Sequence, residues 1–191
     1  IWGNLSHRVL SFTHRNFGEI PERGDLEEVD EAMLSQARAA FDTVGGHLKA
    51  RQFRAALSEA MDLARAGNRY LETKAPWKQI KEDRAAAGTT LNVALQVINA
   101  LKVLLAPFLP FSSQRLHEVL GYTSSLFGEQ VIRSVGEGDD VHEVLQYEEE
   151  SAMGAWVFEE LPGGRPLEKP RPLFKKLDPE IIEEELERMD R

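Results

Sequence analysis

A tryptophan that follows a proline and sits between two lysines can do chemistry that a buried one cannot. In Gly67-Asn68-Arg69-Tyr70-Leu71-Glu72-Thr73-Lys74-Ala75-Pro76-Trp77-Lys78 a helical pattern runs into Pro76. Proline lacks a backbone N–H and pushes Ala75 out of the α region, so the helix is expected to stop near Lys74 or Ala75 and to leave Trp77 at its exposed end. A lone indole usually folds back over the core. Here Arg69, Lys74, Lys78 and Lys81 surround it with positive charge, and a stackable ring among cations is what single-stranded nucleic acid requires. Near the N-terminus, Asn4 and Arg8 stand one helical turn apart. They offer an amide and a guanidinium fork, groups that read base edges or phosphates. The same spacing also describes an ordinary solvated helix face.

No pattern supports catalysis. There is no Gly-rich phosphate loop and no Gly-x-Ser-x-Gly, and the many carboxylates read as solvated helix faces. The absence of cysteine removes disulfides, thiolate zinc sites and a cysteine nucleophile. His7, His14, His47, His117 and His142 are scattered; the two His-Glu-Val-Leu runs at His117 and His142 lack a second histidine and read as surface helix.

The elements that must position Trp77, Asn4 and Arg8 are helical. Ile1, Leu5, Val9 and Phe12 form one stripe of a first helix, with Asn4, Arg8, Ser11 and Arg15 on an adjacent face, and Gly18 and Pro21 close it. Asp25 is expected to cap a second helix with Leu26, Val29, Met33, Ala37, Phe41, Val44 and Leu48 inward. A third, from Gln52 to about Lys74, is expected to bury Phe53, Ala56, Leu57, Ala60, Met61, Ala64 and Leu71. After a polar turn, Leu91, Leu95, Ile98, Leu101 and Leu105 mark a central helix ended by Pro107 and Pro110, and Ser112 or Ser113 starts a fifth, stopped at Gly121. The expected fold is all-α, an antiparallel helix bundle over residues 1–122. A flanking extension over 123–160 follows, in which Trp156-Val157-Phe158 packs on the bundle. Residues 161–191 read as a turn, an extended linker and a short acidic helix from Pro179.

The chain has 191 residues and a net charge of −9, yet residues 1–110 carry +1 and residues 111–191 carry −10. A polyanion is therefore not repelled from the front half. The longest uncharged run, Ala85–Leu101, is too short and too polar for a membrane span. The start at Ile1, inside an apolar pattern and without an initiator methionine, reads as a piece of a larger protein.

Gly3-Asn4-Leu5-x-x-Arg8-Val9-Leu10, Phe17-Gly18-x-x-Pro21, Ala66-x-Asn68-Arg69-Tyr70 with Ala75-Pro76-Trp77-Lys78, and Pro107-Phe108-Leu109-Pro110 together resemble the C-terminal anticodon-binding domain of methionyl-tRNA synthetase. The resemblance spans about residues 1–122. It implies a bundle of the class I aminoacyl-tRNA synthetase type that binds the CAU anticodon of methionine tRNA. It also implies a cytoplasmic enzyme that joins methionine to tRNA with ATP and Mg²⁺ in a separate Rossmann-type domain, so that this piece alone is inactive and holds no cofactor. By the resemblance, Trp77 after Pro76 stacks on the first anticodon base, and Asn4 and Arg8 bond to anticodon bases. Arg69, Lys74 and Lys78 are candidates for phosphate contacts, while Asn68 and Tyr70 hold the helix end together. Pro172-Leu173-Phe174-Lys175-Lys176-Leu177 before an acidic helix is similar to family members that continue into an OB-fold tRNA-binding domain. Two other readings stand beside this one: the same bundle from another class I synthetase, and a helical protein-interaction module.

Overall fold

The central helix is buried on all sides, and everything else is arranged to satisfy it. In the computed structural model, which describes residues 1–148, 154–174 and 180–189, α5 runs from Arg84 to Leu104. Asp83 caps it, accepting from the backbone N–H of Ala85 at 2.9 Å and of Ala86 at 3.0 Å. It packs against α1 (Trp2–Asn16), α2 (Glu28–Lys49), α3 (Phe53–Lys74), α4 (Pro76–Glu82) and α6 (Pro110–Val119). Leu91, Leu95, Ile98, Leu101 and Leu104 are wholly buried, as the apolar periodicity requires.

Six polar residues of α5 are buried too, and four of them bond to backbone that belongs to no helix. Asn92 Nδ2 donates to Pro21 O at 2.8 Å, and Gln96 both donates to Leu161 O at 2.9 Å and accepts from Leu161 N at 2.8 Å. Asn99 Nδ2 donates to Glu159 O at 2.8 Å, and Thr89 Oγ1 accepts from Gly24 N at 3.0 Å. Segment 159–168 is therefore not a free linker. It is extended but strapped down: Ile20 N donates to Arg165 O, Gly164 N to Ile20 O, Leu167 N to Gly18 O and Glu168 N to Val119 O. Leu161 and Leu167 within it are buried in the core, and so is Leu173 beyond it.

Several boundaries differ from the periodicity. The second helix is not capped by Asp25. Glu27 is its N-cap and forms a reciprocal capping box with Asp30, so the helix starts at Glu28. In α3 the inward stripe is Ala56, Ala60, Leu63, Ala64 and Leu71, while Phe53 and Leu57 lie outside it and are exposed. Pro110 does not end a helix but occupies the first turn of α6, where its missing N–H costs nothing. Gly18 and Gly121, at φ 77° and 82°, take the left-handed conformation that closes α1 and α6.

The extension holds secondary structure that weak alternation concealed. Gln130–Val135 (β1) and His142–Tyr147 (β2) pair antiparallel with Ile132 opposite Leu145, both exposed. His142 thus lies in a strand rather than a helix. Trp156 docks as its composition suggests: its Nε1 donates to Phe41 O at 3.1 Å and its ring meets Phe41 edge-on at 5.8 Å. The indole nitrogen lies 2.8 Å from where a Cβ on Gly45 would be, which accounts for a glycine inside α2. Glu180–Met189 forms a helix, α7. Lys175-Lys176-Leu177 and Pro179 fall outside the described residues.

His117 is not a surface residue. It is buried in α6, stacked on Tyr122 with ring centroids 4.2 Å apart, with Lys102 Nζ 3.1 Å from Nδ1 and Ser124 Oγ 3.2 Å from Nε2. Burial first, then the charges of Lys102 and Arg165, pushes its pKa down to about 4. Burial likewise lowers Lys102 to about 8, with Arg165 acting in the same direction against Glu159. A second buried polar knot joins α2 to α3. Asp30 accepts from Tyr70 Oη at 2.7 Å and Lys74 Nζ at 3.2 Å, and Lys74 also pairs with Glu27 at 3.0 Å.

Two measurements check these knots. Asp30→Ala removes the buried partner shared by Tyr70 and Lys74, leaving Lys74 with only the exposed Glu27, and is expected to cost about 3 kcal/mol in urea denaturation at unchanged m-value. His117 binds its proton in the unfolded chain near pH 6.5 but in the folded chain only near pH 4. Stability should therefore fall as pH drops from 6.5 towards 4, and His117→Gln should flatten that part of the pH profile.

Candidate nucleic-acid interface

The turn at Ala75-Pro76 places Trp77, though not at a helix's free end. Ala75 closes α3 in the left-handed region at φ 47°, ψ 60°, and Pro76 then opens α4 as its first residue. What reads as a polar turn after Trp77 is this two-turn helix. Proline at the first position needs no N–H partner, and its fixed φ suits a helix start. Gln79 Oε1 accepts from Thr90 Oγ1 at 2.9 Å, which holds α4 on α5. Trp77 comes to lie half-buried in the first turn of α4, beside α1.

On α1, Leu5, Val9 and Thr13 point into the core, so Arg8, Ser11, Phe12 and Arg15 flank a cleft of about 230 Å³. Leu71, Pro76 and Trp77 form its other wall. The guanidinium carbon of Arg8 stands over the indole of Trp77, 5.2 Å from the ring centroid. This is a cation–π contact, strengthened where water is excluded. Nε and Nη2 of Arg8 are shielded from solvent and meet no hydrogen-bond acceptor among the described residues. The cleft thus brings together an aromatic ring and a guanidinium with two N–H donors unmatched among the described residues.

The residues singled out from the sequence divide three ways. Arg8, Pro76 and Trp77 share the cleft. Asn4 is exposed one turn earlier on α1, where it lines a neighbouring groove with Trp2, His7 and Phe174. Lys78 is exposed next to Trp77 on α4. Arg69 is also exposed but lines a different groove, between α2 and α3, with Val29, Gln36 and Thr73. Lys74 is not available to a phosphate. Its side chain is only 8% exposed and bridges Glu27 and Asp30, so its charge is matched within the fold.

Asn68 bonds within α3, and Tyr70 ties α3 to the start of α2 through Asp30. Asn68 Nδ2 donates to Ala64 O at 3.0 Å, and burial foremost, with the Asp30 carboxylate, raises the Tyr70 pKa. Sequence reasoning passed over Phe12 and Arg15 as site residues, although Arg15 follows Arg8 by seven positions, two turns along the same face.

Comparison with known proteins identifies the family. The family model for the anticodon binding domain of methionyl tRNA ligase matches residues 20–190. Methionine–tRNA ligases of Thermomicrobium roseum and Roseiflexus castenholzii are 50% and 46% identical, over 98% of this chain and 32% of theirs. Among solved structures, the free-state methionyl-tRNA synthetase of Mycobacterium tuberculosis superposes with a TM-score of 0.73 at 26% identity, over 93% of this chain and 32% of that one. The chain spans about a third of the length of these relatives, and it belongs to the family of anticodon-binding domains of methionyl-tRNA ligase.

Proposed function

We propose that the chain recognises the CAU anticodon of methionine tRNA through the cleft between α1 and α4, for methionine attachment by a catalytic Rossmann-type domain of the same polypeptide. The observation that carries this reading is the guanidinium of Arg8 beside the indole of Trp77, with two of its N–H donors unmatched. An unstacked loop base needs a ring to lie on and donors or acceptors along its edge. Trp77 supplies the ring, and Pro76 sets its approach. Arg8 supplies edge donors, and Asn4, one turn away, supplies both a donor and an acceptor. Lys78 contributes positive charge at the rim.

The ATP and Mg²⁺ that methionine attachment uses belong, on this reading, to that catalytic domain. The sequence has no phosphate loop. Among the described residues no group of three or more His, Cys, Asp or Glu side chains is placed to hold a metal ion. The contribution of these residues is to bind and orient the anticodon. No helix among the described residues is long and apolar enough to cross a membrane.

Titration with anticodon stem-loops at one stated salt concentration tests the reading. The intact chain should prefer a CAU loop to one with a changed first base. Trp77→Ala should weaken the CAU loop by about 5- to 150-fold, the range of stacking worth ~1 to 3 kcal/mol per base. Arg8→Ala should reduce the preference for the first base. Equal binding of both loops by the intact chain and Trp77→Ala would count against base reading and favour an interaction module.

A further inference from the structure

Phe12 and Arg15 stand in the same cleft as Arg8 and Trp77, and recognition of base edges gives them no task. The guanidinium carbon of Arg15 lies 5.6 Å from the centre of the Phe12 ring. This repeats, further along α1, the placement of Arg8 on Trp77. The two differ in exposure. Arg8 has donors shielded inside the cleft, whereas Arg15 is an exposed residue at its rim. Other arginines nearby are engaged: Arg23 and Arg38 pair with Glu160, and Arg84 donates to Asn16 O. Arg15 forms no ion pair or hydrogen bond among the described residues.

A cation held in position by a ring, without a counter-charge, at the mouth of a base-sized cleft suits a phosphate. The guanidinium fork matches phosphate oxygens in pairs, and prior contact with a ring reduces the freedom lost on binding. Arg8 and Arg15 are seven residues apart, about 10.5 Å along the helix. One nucleotide and an extended arginine side chain can bridge that separation. We propose that Arg15, positioned by Phe12, contacts a backbone phosphate of the strand whose base stacks on Trp77, adding affinity without sequence preference. The proposal rests on the anticodon reading above.

The test is a salt titration of the 191-residue chain, Arg15→Ala, Arg15→Lys and Phe12→Leu, with CAU and changed-base stem-loops between about 0.05 and 0.4 M salt. Arg15→Ala should weaken both loops by the same factor, about 3- to 10-fold at the low-salt end. It should also make the slope of log affinity against log salt shallower by about 0.7. Arg15→Lys should keep the slope. Phe12→Leu should keep the charge but lose part of the affinity. An unchanged slope in Arg15→Ala overturns the proposal, and so does a loss confined to the CAU loop, because Arg15 would then be reading a base. Trp77→Ala, run alongside, separates the two levels. If it too leaves binding unchanged, the anticodon reading itself has failed; if it abolishes binding while Arg15→Ala does nothing, only the phosphate contact has.

Discussion

A helix buried on every side cannot leave its polar side chains unmatched, and that constraint on α5 organises the molecule. Asn92, Gln96 and Asn99 follow one another at spacings of four and three, so they lie in a row along one face. A buried amide without partners costs several kcal/mol relative to one that is bonded. The partners are the backbones of loop 21–24 and strap 159–161, which have no ladder of their own. Each side thus satisfies the other. The strap is fixed without regular structure, and the central helix tolerates polarity that would otherwise destabilise it.

The same anchored helix supports the cleft. Thr90 holds Gln79, and α4 is thereby kept against α5 while α1 packs on the other side. The turn between α3 and α4 asks Ala75 for a left-handed conformation, which costs an alanine roughly 1 to 3 kcal/mol. Packing on both flanks sustains it. Trp77 therefore does not hang from a frayed helix end but is carried by two packed helices, and its ring is in place before any ligand arrives. A preorganised platform loses less freedom on binding than a mobile one.

Much of this was legible in the sequence, for identifiable reasons. Pro76 announces a break, and the break is there; what the proline cannot announce is that a new helix begins at the same residue, because proline serves equally as a stop and as a first position. Pro110 misled for the same cause. Lys74 looks like a free cation in the chain, since nothing local reveals that Asp30, 44 residues away, will reach it. His117 looks like a surface residue because its partners Lys102, Tyr122 and Ser124 come together only when α6 folds against α5. The β-hairpin was missed because both of its faces are largely exposed, so neither strand carries the alternation that marks a half-buried one. Periodicity reports burial; it is silent on long-range pairing of charges.

The state of Arg8 in the free chain bears on how a base would be chosen under the proposed reading. Its stack on the indole returns about 0.5 to 2 kcal/mol, but two shielded N–H donors without acceptors cost about 1 to 3 kcal/mol each. The free cleft is thus less stable than a liganded one in which both donors are met. Cytosine presents two adjacent acceptors, O2 and N3, on its pairing edge. Uracil has a carbonyl in place of the amino group at C4 and carries a hydrogen on N3, which would face a donor with a donor and leave one N–H of Arg8 unmatched. Under the proposed reading, discrimination between two pyrimidines of nearly the same shape would rest on the donors of Arg8, while the indole, which stacks on either, would supply affinity alone.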